Sequence, residues 1–387
     1  MRISVAIVYD ALYPYTVGGA EKGNAELAGV LARTFRVTLV SMRYAGASAV
    51  RADGVSIAGI CPVLPLYTCT GRRSLFEMTV FAAAVFLHLL RRHYDVVLVG
   101  GFPYLPCIAV RCALWFRPAA RMIVHWYEVV GPRQWREYAG SAWPLGAALE
   151  RAVAGVRALH AAISPFTARR LAGIRRMPAD VVLPFGIHTS EHVQETALVK
   201  RRQILYAGRL AGHKQVGMLL GAFAPIARSP AGADAVLHIV GDGPDAARLR
   251  TLAERLGIAD RAVFSPFLER SAYLRELGAS RLLVLPSRRE GQGLAVLEAM
   301  AAGTPVAAYR SPDSAVADLI TDGVDGVLFD DIEHLSRLLE ALLSDDDWYR
   351  RLSDGAQRRA ADFDWTVIAP RYESVLAGNA ALEMRQR

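Results

Sequence analysis

The chain has 387 residues, of which 53% are hydrophobic and 21% are charged, and this balance excludes a largely disordered protein. Its length predicts two domains of ordinary size. The formal net charge of +8 comes almost wholly from arginine, since Lys22, Lys200 and Lys214 are the only lysines. No basic motif with interleaved aromatic residues is present, so a nucleic-acid partner is not predicted.

The first residues, MRISVAIVYDALYPY, turn polar too early for a secretory signal peptide. The four cysteines, Cys61, Cys69, Cys107 and Cys112, have spacings that match neither a zinc site nor a disulfide scheme. We expect buried thiols in a reducing compartment. The predicted location is cytoplasmic, with the inner face of the membrane as the alternative.

The first half of the chain alternates short apolar runs with stretches of helical spacing. After the first run, GGAEKGNAELAGVLARTF has the apolar spacing of a helix. The predicted strands are RISVAIVYD, RVTLVSM, DVVLVGG, RMIVHW and ALHAAIS. This alternation predicts an α/β domain with a parallel sheet covered by helices.

The longest apolar stretch runs from Thr79 to Leu90 and has twelve residues. A membrane-spanning helix needs about twenty. Arg72, Arg73, Arg91 and Arg92 flank the stretch. It is therefore either a core helix with solvated arginines at its ends or an element that makes peripheral membrane contact.

The pattern restarts after a polar, proline-marked passage near residues 190 to 202. The predicted strands of the second half are QILYAGRL, AVLHIVGDG, RAVFSPF, RLLVLPS and PVAAY. We predict a first Rossmann-like domain at residues 1–195, a second at 196–362, and a terminal helix at 363–387. In open parallel sheets ligands bind beyond the carboxyl ends of the strands, so the expected site faces a cleft between the domains.

Two glycine-rich segments invite nucleotide-binding interpretations. Gly18 and Gly23 have the spacing of a phosphate loop, but Asn24 replaces its lysine. Gly18 and Gly19 still sit between a strand and a helix, where the helix N-terminus favours an anion. The segment VGDGPDA matches a loose dinucleotide pattern, but the next strand ends in VFSPF without the acidic residue that would hold the ribose of NAD.

Two glutamates flank a Gly-x-Gly turn in LVLPSRREGQGLAVLEAMAAGTPV. Glu290 precedes a predicted helix, which begins near Gly293 and Leu294, and Glu298 lies inside it. The amides of the helix N-terminus between the two carboxylates suit a phosphate. A sugar nucleotide has the matching order of sugar hydroxyls, diphosphate and ribose hydroxyls.

The stretch from Glu290 to Val306 resembles the signature E-G-x-G-L-x-x-x-E-A-M-A-x-G-x-P-V of the retaining GT-B glycosyltransferases of family 4, the glycosyl transferases group 1. GRLAGHK resembles the family's G-R-L-x-x-x-K segment, and IVGDGPDAARLRTLAERLGIADRAVFSPFL resembles its G-x-G-P and V-x-F-x-G segments. VGGAE and HWYEVVGPRQWREYAG are looser matches in the first half. The resemblance implies a GT-B fold and transfer of a sugar from a nucleotide diphosphate donor to a hydroxyl acceptor. It further implies that residues 1–195 bind the acceptor, that residues 196–362 bind the nucleotide sugar, and that the terminal helix at 363–387 packs back on the first domain.

The resemblance also implies roles for individual residues. Arg209 and Lys214 would bind the donor diphosphate, and Glu298 would bind the ribose hydroxyls. Glu290 would contact the transferred sugar, as nucleophile or as electrostatic stabiliser. The other donor-binding residues that it implies are Gly18, Gly19, Gly291, Gln292, Gly293 and Leu294.

Three positions depart from the family pattern. Gln292 stands where an aromatic residue is usual, and Pro266 replaces a glycine near the expected base-binding loop. The histidine of a W-H-E-V-W subgroup falls on Tyr127, while His125 precedes it by two places. Residues at i and i+2 of a strand share a face, so His125 is a candidate catalytic residue as well as a candidate structural one.

No metal or cofactor is predicted. The single Asp-x-Asp match, Asp362 to Asp364, precedes the terminal helix and is interpreted as a helix cap, and SDDDW is interpreted as a helix start. The expected partners are a nucleotide-sugar donor and a glycan, lipid-linked glycan or natural-product acceptor. The alternatives are a GT-B phosphorylase or epimerase, and a non-catalytic sugar-nucleotide-binding protein.

Overall fold

The structure of the protein is a computed structural model that describes residues 2–46, 54–68, 73–196 and 200–378. The chain folds into two units, residues 1–186 with 365–387 and residues 187–364. Each unit is built on a wholly parallel sheet. The predicted α/β fold class with two parallel sheets is therefore confirmed. Cys69 and Arg72 lie outside the described residues.

The first unit contains a seven-stranded sheet in the order β3-β2-β1-β4-β5-β6-β7. Its strands are β1 (Ser4–Val8), β2 (Arg36–Arg43), β3 (Val55–Pro62), β4 (Val96–Gly100), β5 (Arg121–Trp126), β6 (Leu159–Ala162) and β7 (Val181–Val182). Its helices before the crossing to the second unit are α1 (Gly19–Leu31), α2 (Leu75–Arg91), α3 (Tyr104–Leu114), α4 (Gly131–Ala139), α5 (Trp143–Ala154) and α6 (Pro165–Arg175). The strand order reverses between β1 and β4.

The second unit repeats this arrangement with a six-stranded sheet in the order β10-β9-β8-β11-β12-β13. Its strands are β8 (Arg201–Ala207), β9 (Val236–Val240), β10 (Ala262–Ser265), β11 (Ser280–Leu285), β12 (Val306–Tyr309) and β13 (Val327–Phe329). Its helices are α7 (Thr189–Thr196), α8 (Val216–Arg228), α9 (Ala246–Arg255), α10 (Arg270–Ala279), α11 (Leu294–Ala301), α12 (Val316–Leu319), α13 (Ile332–Ser344) and α14 (Asp346–Ala361). Short 3₁₀ turns span Gly140–Ala142 in the first unit, and Gly212–Lys214 and Pro230–Gly232 in the second.

The last helix, α15 (Trp365–Ala377), belongs to the first unit. Tyr372 donates a hydrogen bond of 3.0 Å to the carbonyl of Leu183, and Thr34 donates one of 2.7 Å to Glu373. The first crossing between units lies after Gly186, earlier in the chain than the boundary expected from the sequence. Ile187 belongs to the second unit because its side chain is buried in that core and its amide donates to the carbonyl of Phe363.

The apolar stretch from Thr79 to Leu90 lies within α2, which packs against α3. Its core-facing residues, Phe81, Ala82, Val85 and Leu89, are buried. Among the described residues, no helix has the length and apolar character needed to cross a membrane.

The expectation of solvated arginines at both ends of this stretch is wrong for Arg73. Its side chain is only 9% exposed and pairs with Asp10 and Glu77, which are buried. Burying two carboxylates close together requires a nearby cation, and Arg73 supplies it.

The two aspartate-rich segments differ in what they bind. Asp345 accepts a hydrogen bond of 2.8 Å from the amide of Trp348 and caps α14, which confirms the predicted helix start. Asp364 accepts hydrogen bonds from the amide and the hydroxyl of Thr189 at 2.9 and 2.5 Å, at the beginning of α7.

Candidate functional site

The candidate site of the second unit lies where its strand order reverses. β8 and β11 are neighbours at the centre of the sheet, and their crossover connections lead to opposite sides. In such sheets the loops that leave the two strands diverge and open a crevice at the carboxyl edge. The loop after β8 carries Arg209 and Lys214, and the loop after β11 carries Glu290.

The loop after β8 passes very close to the loop after β9. A Cβ atom on Gly241 would lie 1.9 Å from the carbonyl oxygen of Gly208, and one on Gly243 would lie 2.2 Å from that of Leu210. Neither position has room for a side chain. The glycines of VGDGPDA thus allow two backbones to cross, which accounts for the loose dinucleotide pattern without a dinucleotide.

Lys214 and Glu290 join the two central loops. Lys214 Nζ lies 2.5 Å from Glu290 Oε1, although the residues are 76 positions apart in the chain. The amide of Arg288 donates a hydrogen bond of 2.8 Å to the carbonyl of His213, directly beside this pair. A cation and a carboxylate are therefore held together at the carboxyl edge of the sheet.

Glu290 is also fixed through its backbone. Its carbonyl accepts a hydrogen bond of 2.9 Å from the amide of Ala315, and it pairs with Ser314 in an isolated bridge. Ser311 donates a hydrogen bond of 2.6 Å to the carbonyl of Arg288. The loop that carries Glu290 is thus tied to the segment after β12, which limits the positions its carboxylate can take.

His213 lies near several positive charges at the carboxyl edge of the sheet. Burial is the main cause that lowers the pKa of His213 to about 4. The positive charges of Lys214, Arg289 and Arg209 lower this pKa further. The imidazole is therefore neutral at pH 7 and lies near cations from both central loops. Sequence reasoning missed His213 and Arg289, although each directly precedes a residue that it singled out.

The N-terminus of α11 directly follows the loop that carries Glu290. Gly293 is its N-cap with a φ of 91° and provides no capping side chain. A Cβ atom at Gly293 would lie 2.7 Å from Val316 Cγ2, so glycine is required there for both conformation and space. The helix begins at Leu294, after the buried Gln292 and its neighbour Gly291. The first amides of an uncapped helix favour an anion.

Glu298 lies within α11 and is held by two side chains of α10. Arg270 Nη1 lies 2.5 Å from Glu298 Oε1, and the Tyr273 hydroxyl donates a hydrogen bond of 3.0 Å to Glu298 Oε2. The Glu298 side chain is only 6% exposed. Sequence reasoning missed Arg270 and Tyr273, because nothing in LERSAYLREL indicates contact with a residue 28 or 25 positions later.

Three predicted site residues belong to the first unit. Gly18 is the N-cap of α1, which begins at Gly19. A Cβ atom on Gly18 would lie 2.3 Å from Glu21 Oε2, so a carboxylate already lies beside this helix N-terminus. The donor-binding roles of Gly18 and Gly19 stay predictions.

His125 is fully buried in the first unit. Its Nε2 lies 2.9 Å from the carbonyl oxygen of Leu183, and the rings of Tyr127, Phe185 and Tyr372 surround it. Burial lowers its pKa to about 4, so the ring is neutral and donates through Nε2. These contacts favour a structural role, and the catalytic role stays a prediction.

Within the described ranges, no three His, Cys, Asp or Glu side chains are grouped so as to hold a metal ion. The Asp-x-Asp segment contributes instead to local structure, since Asp364 binds Thr189 and Asp362 pairs with Arg359 at 3.1 Å. The charged groups of the candidate site are the side chains of Arg209, Lys214, Arg289, Glu290, Arg270 and Glu298.

Residues 189–359, nearly the whole second unit, match the family model described as glycosyl transferases group 1. The D-inositol 3-phosphate glycosyltransferase of Frankia alni is 34% identical over 175 residues, which cover 43% of this chain and 42% of that protein. The MMP alpha-(1->4)-mannosyltransferase of Mycolicibacterium hassiacum is 30% identical over 213 residues, which cover 52% and 49%. The chain thus spans about half or less of the length of these curated relatives.

Solved structures resemble the chain over nearly its full length. Anabaena HepE in complex with UDP-glucose has a TM-score of 0.77 at 16% identity and covers 97% of this chain and 99% of its own. Sucrose-phosphate synthase from Thermosynechococcus elongatus has a TM-score of 0.77 at 20% identity and covers 98% and 100%. The chain therefore has the GT-B fold, and its residues 189–359 match the model of the glycosyl transferases group 1 family.

Proposed function

We propose that the protein is a retaining, metal-independent glycosyltransferase that moves a sugar from a nucleotide diphosphate sugar to a hydroxyl acceptor. The observation that carries the proposal is the Lys214–Glu290 pair, 2.5 Å apart beside the N-terminus of α11. A cation, a carboxylate and a helix N-terminus at one sheet edge supply what a charged diphosphate and a hydroxyl-bearing sugar require. The family match over residues 189–359 supports the same conclusion.

The donor would lie along α11. Lys214 and Arg209 would bind the diphosphate together with the first amides of the helix, and Glu298 would accept hydrogen bonds from the ribose hydroxyls. Glu290 would contact the sugar. HepE, whose fold the chain shares, is known in complex with UDP-glucose, which supports a donor of this chemical class.

The proposed reaction breaks the bond between the anomeric carbon and the diphosphate oxygen, and it forms a bond from the same carbon to the acceptor oxygen. The acceptor hydroxyl proton passes to the departing diphosphate. Fixed cations at Lys214 and Arg209 stabilise the negative charge that develops on the leaving group. Glu290 acts either as a nucleophile or by stabilising positive charge on the sugar, and its pairing with Lys214 fits both roles.

The test is nucleotide release from UDP-, GDP- and ADP-hexoses in the presence of EDTA, with glycans, lipid-linked glycans and natural-product aglycones as acceptors. We expect one donor family to be consumed in the presence of EDTA. NMR of the product should show that the anomeric configuration of the donor is kept. Inversion would contradict the retaining mechanism, and loss of turnover in EDTA would contradict metal independence. Donor binding without turnover for any acceptor would favour a non-catalytic binding protein.

A further inference from the structure

Arg270 and Tyr273 lie one turn apart at the beginning of α10 and share one target. Arg270 Nη1 lies 2.5 Å from Glu298 Oε1, and the Tyr273 hydroxyl lies 3.0 Å from Glu298 Oε2. Residues at i and i+3 of a helix lie on the same face, so both side chains can reach the same carboxylate. Each oxygen of the Glu298 carboxylate is thus bound by a different donor.

The guanidinium of Arg270 is itself held from a second direction. Its Nη2 lies 3.1 Å from Glu191 Oε2 on α7. The Arg270 side chain is 26% exposed, whereas that of Glu298 is 6% exposed and that of Glu191 is 44% exposed. The arginine therefore links a buried carboxylate to one at the surface.

The protonation states of Arg270 and Tyr273 allow both side chains to donate to the Glu298 carboxylate. Burial is the largest single effect and lowers the pKa of Arg270, but the charges of Glu298 and Glu191 and their hydrogen bonds together outweigh burial, so the pKa of Arg270 is raised. Burial and the charge of Glu298 raise the pKa of Tyr273 well above its usual value. Arg270 stays a cation and Tyr273 stays a hydroxyl donor at neutral pH.

We propose that Arg270 is a positioning residue that fixes the Glu298 carboxylate for the ribose hydroxyls of the donor. This inference rests on the proposed function, because it takes Glu298 as the ribose-binding residue. Arg270 has a second effect at the same place. Its positive charge offsets that of Glu298, which would otherwise repel a diphosphate bound at the N-terminus of α11.

The test compares ribose recognition in matched variants by isothermal titration calorimetry. UDP, GDP and ADP are titrated alongside their 2′,3′-dideoxy counterparts. Hydrogen bonds to a charged group predict that the wild type prefers the ribonucleotide by about 10-fold to 100-fold. We expect Arg270→Gln to reduce this preference to about threefold or less without weakening the binding of the dideoxy nucleotide by a similar factor.

Three further variants separate positioning from a general structural effect. Arg270→Lys keeps the charge and should restore part of the ribose preference. Tyr273→Phe keeps the buried ring and should lower the preference by a smaller factor than Arg270→Gln. Arg275→Gln changes an exposed arginine on the same helix and should bind both nucleotides as the wild type does.

The outcomes distinguish the role of Arg270 from the proposed function. If the wild type binds no nucleoside diphosphate, the proposed function fails. If it binds one but does not prefer ribose, or if Arg270→Gln keeps the wild-type preference, the role of Arg270 is overturned while the proposed function stands.

Discussion

Lys214 Nζ lies 2.5 Å from Glu290 Oε1, and this contact joins the loops that leave the two central strands of the second unit. Glu298, the second glutamate of the motif, is paired in the same way with Arg270. Each carboxylate of the site therefore has a cation from a distant part of the chain. Because each carboxylate has a cation beside it, the diphosphate of the proposed donor would meet less repulsion there.

Replacing Lys214 by Ala or Glu290 by Gln should lower turnover by about 100-fold or more, because each removes a group that faces developing charge. Initial rates of nucleotide release measure the effect, and circular dichroism checks that the fold is kept. Arg248 lies on α9 and its side chain is 62% exposed. Arg248→Ala removes this positive charge and should leave turnover unchanged. Wild-type turnover in both site variants would refute the assignment.

Gly293→Ala should destabilise the second unit by about 1–3 kcal/mol and weaken nucleotide binding, because a strained backbone and a clash displace the beginning of α11. The φ of Gly293 is 91°, and the added Cβ would lie 2.7 Å from Val316 Cγ2. Gly323→Ala is a matched control, since Gly323 has a φ of 77° and no atom within 4 Å of the added Cβ. Urea denaturation should show a smaller loss for the control, with unchanged nucleotide affinity. Equal losses in both variants would contradict the clash.

Glu77 should make stability fall as the pH rises from about 4.5 towards 8. Burial and the charge of Asp10 raise the pKa of Glu77 from 4.5 to about 8, against the opposing charge of Arg73. The folded protein therefore keeps a proton that the unfolded chain loses, so this contribution is fully present below pH 4.5 and is lost as the pH rises to about 8.

Glu77→Gln tests this pH dependence, because glutamine resembles the protonated acid and does not titrate. Urea denaturation between pH 7 and 8.5 measures it, in a range above the usual histidine pKa of about 6.5. The wild type should lose stability across this range, and the variant should lose less. Parallel curves for the two proteins would rule out the proposed protonation.

Glu150 should be critical for the stability of the first unit. It is buried and accepts hydrogen bonds from Tyr104 Oη at 2.8 Å, Val130 N at 2.7 Å, Gly131 N at 3.0 Å and Trp135 Nε1 at 3.1 Å. Glu150→Ala leaves these buried donors without their acceptor and should cost about 3 kcal/mol or more. Denaturation should show little effect for Glu137→Ala, which removes an exposed carboxylate from α4. A loss below about 1 kcal/mol for Glu150→Ala would contradict the account.

The parallel sheets could be predicted because buried central strands are continuous apolar runs, as in VAIV of β1 and LLVL of β11. β3 was missed because it is an edge strand with a mixed burial pattern and a central Gly59. β7 and β13 are only two and three residues long, too short for any periodicity.

The candidate site could be predicted where its residues lie close together in the chain. Glu290, Gly293 and Glu298 belong to one continuous motif, and Lys214 follows from a second segment that resembles the family. Arg270 and Tyr273 could not be predicted, because only the packing of α10 near α11 brings them to Glu298. The burial of Arg73 was unpredictable for the same reason, since Asp10 lies 63 positions away.

In the proposed function, the second unit binds a nucleotide sugar through Lys214, Glu290 and Glu298. The most direct measurement is thermal denaturation of wild type and Lys214→Ala with UDP-, GDP- and ADP-sugars and their free nucleotides, in the presence of EDTA. A ligand that binds only the native state raises the melting temperature. The account predicts that one nucleotide family stabilises the wild type and stabilises the variant much less. No stabilisation by any of these ligands, or equal stabilisation of both proteins, would contradict it.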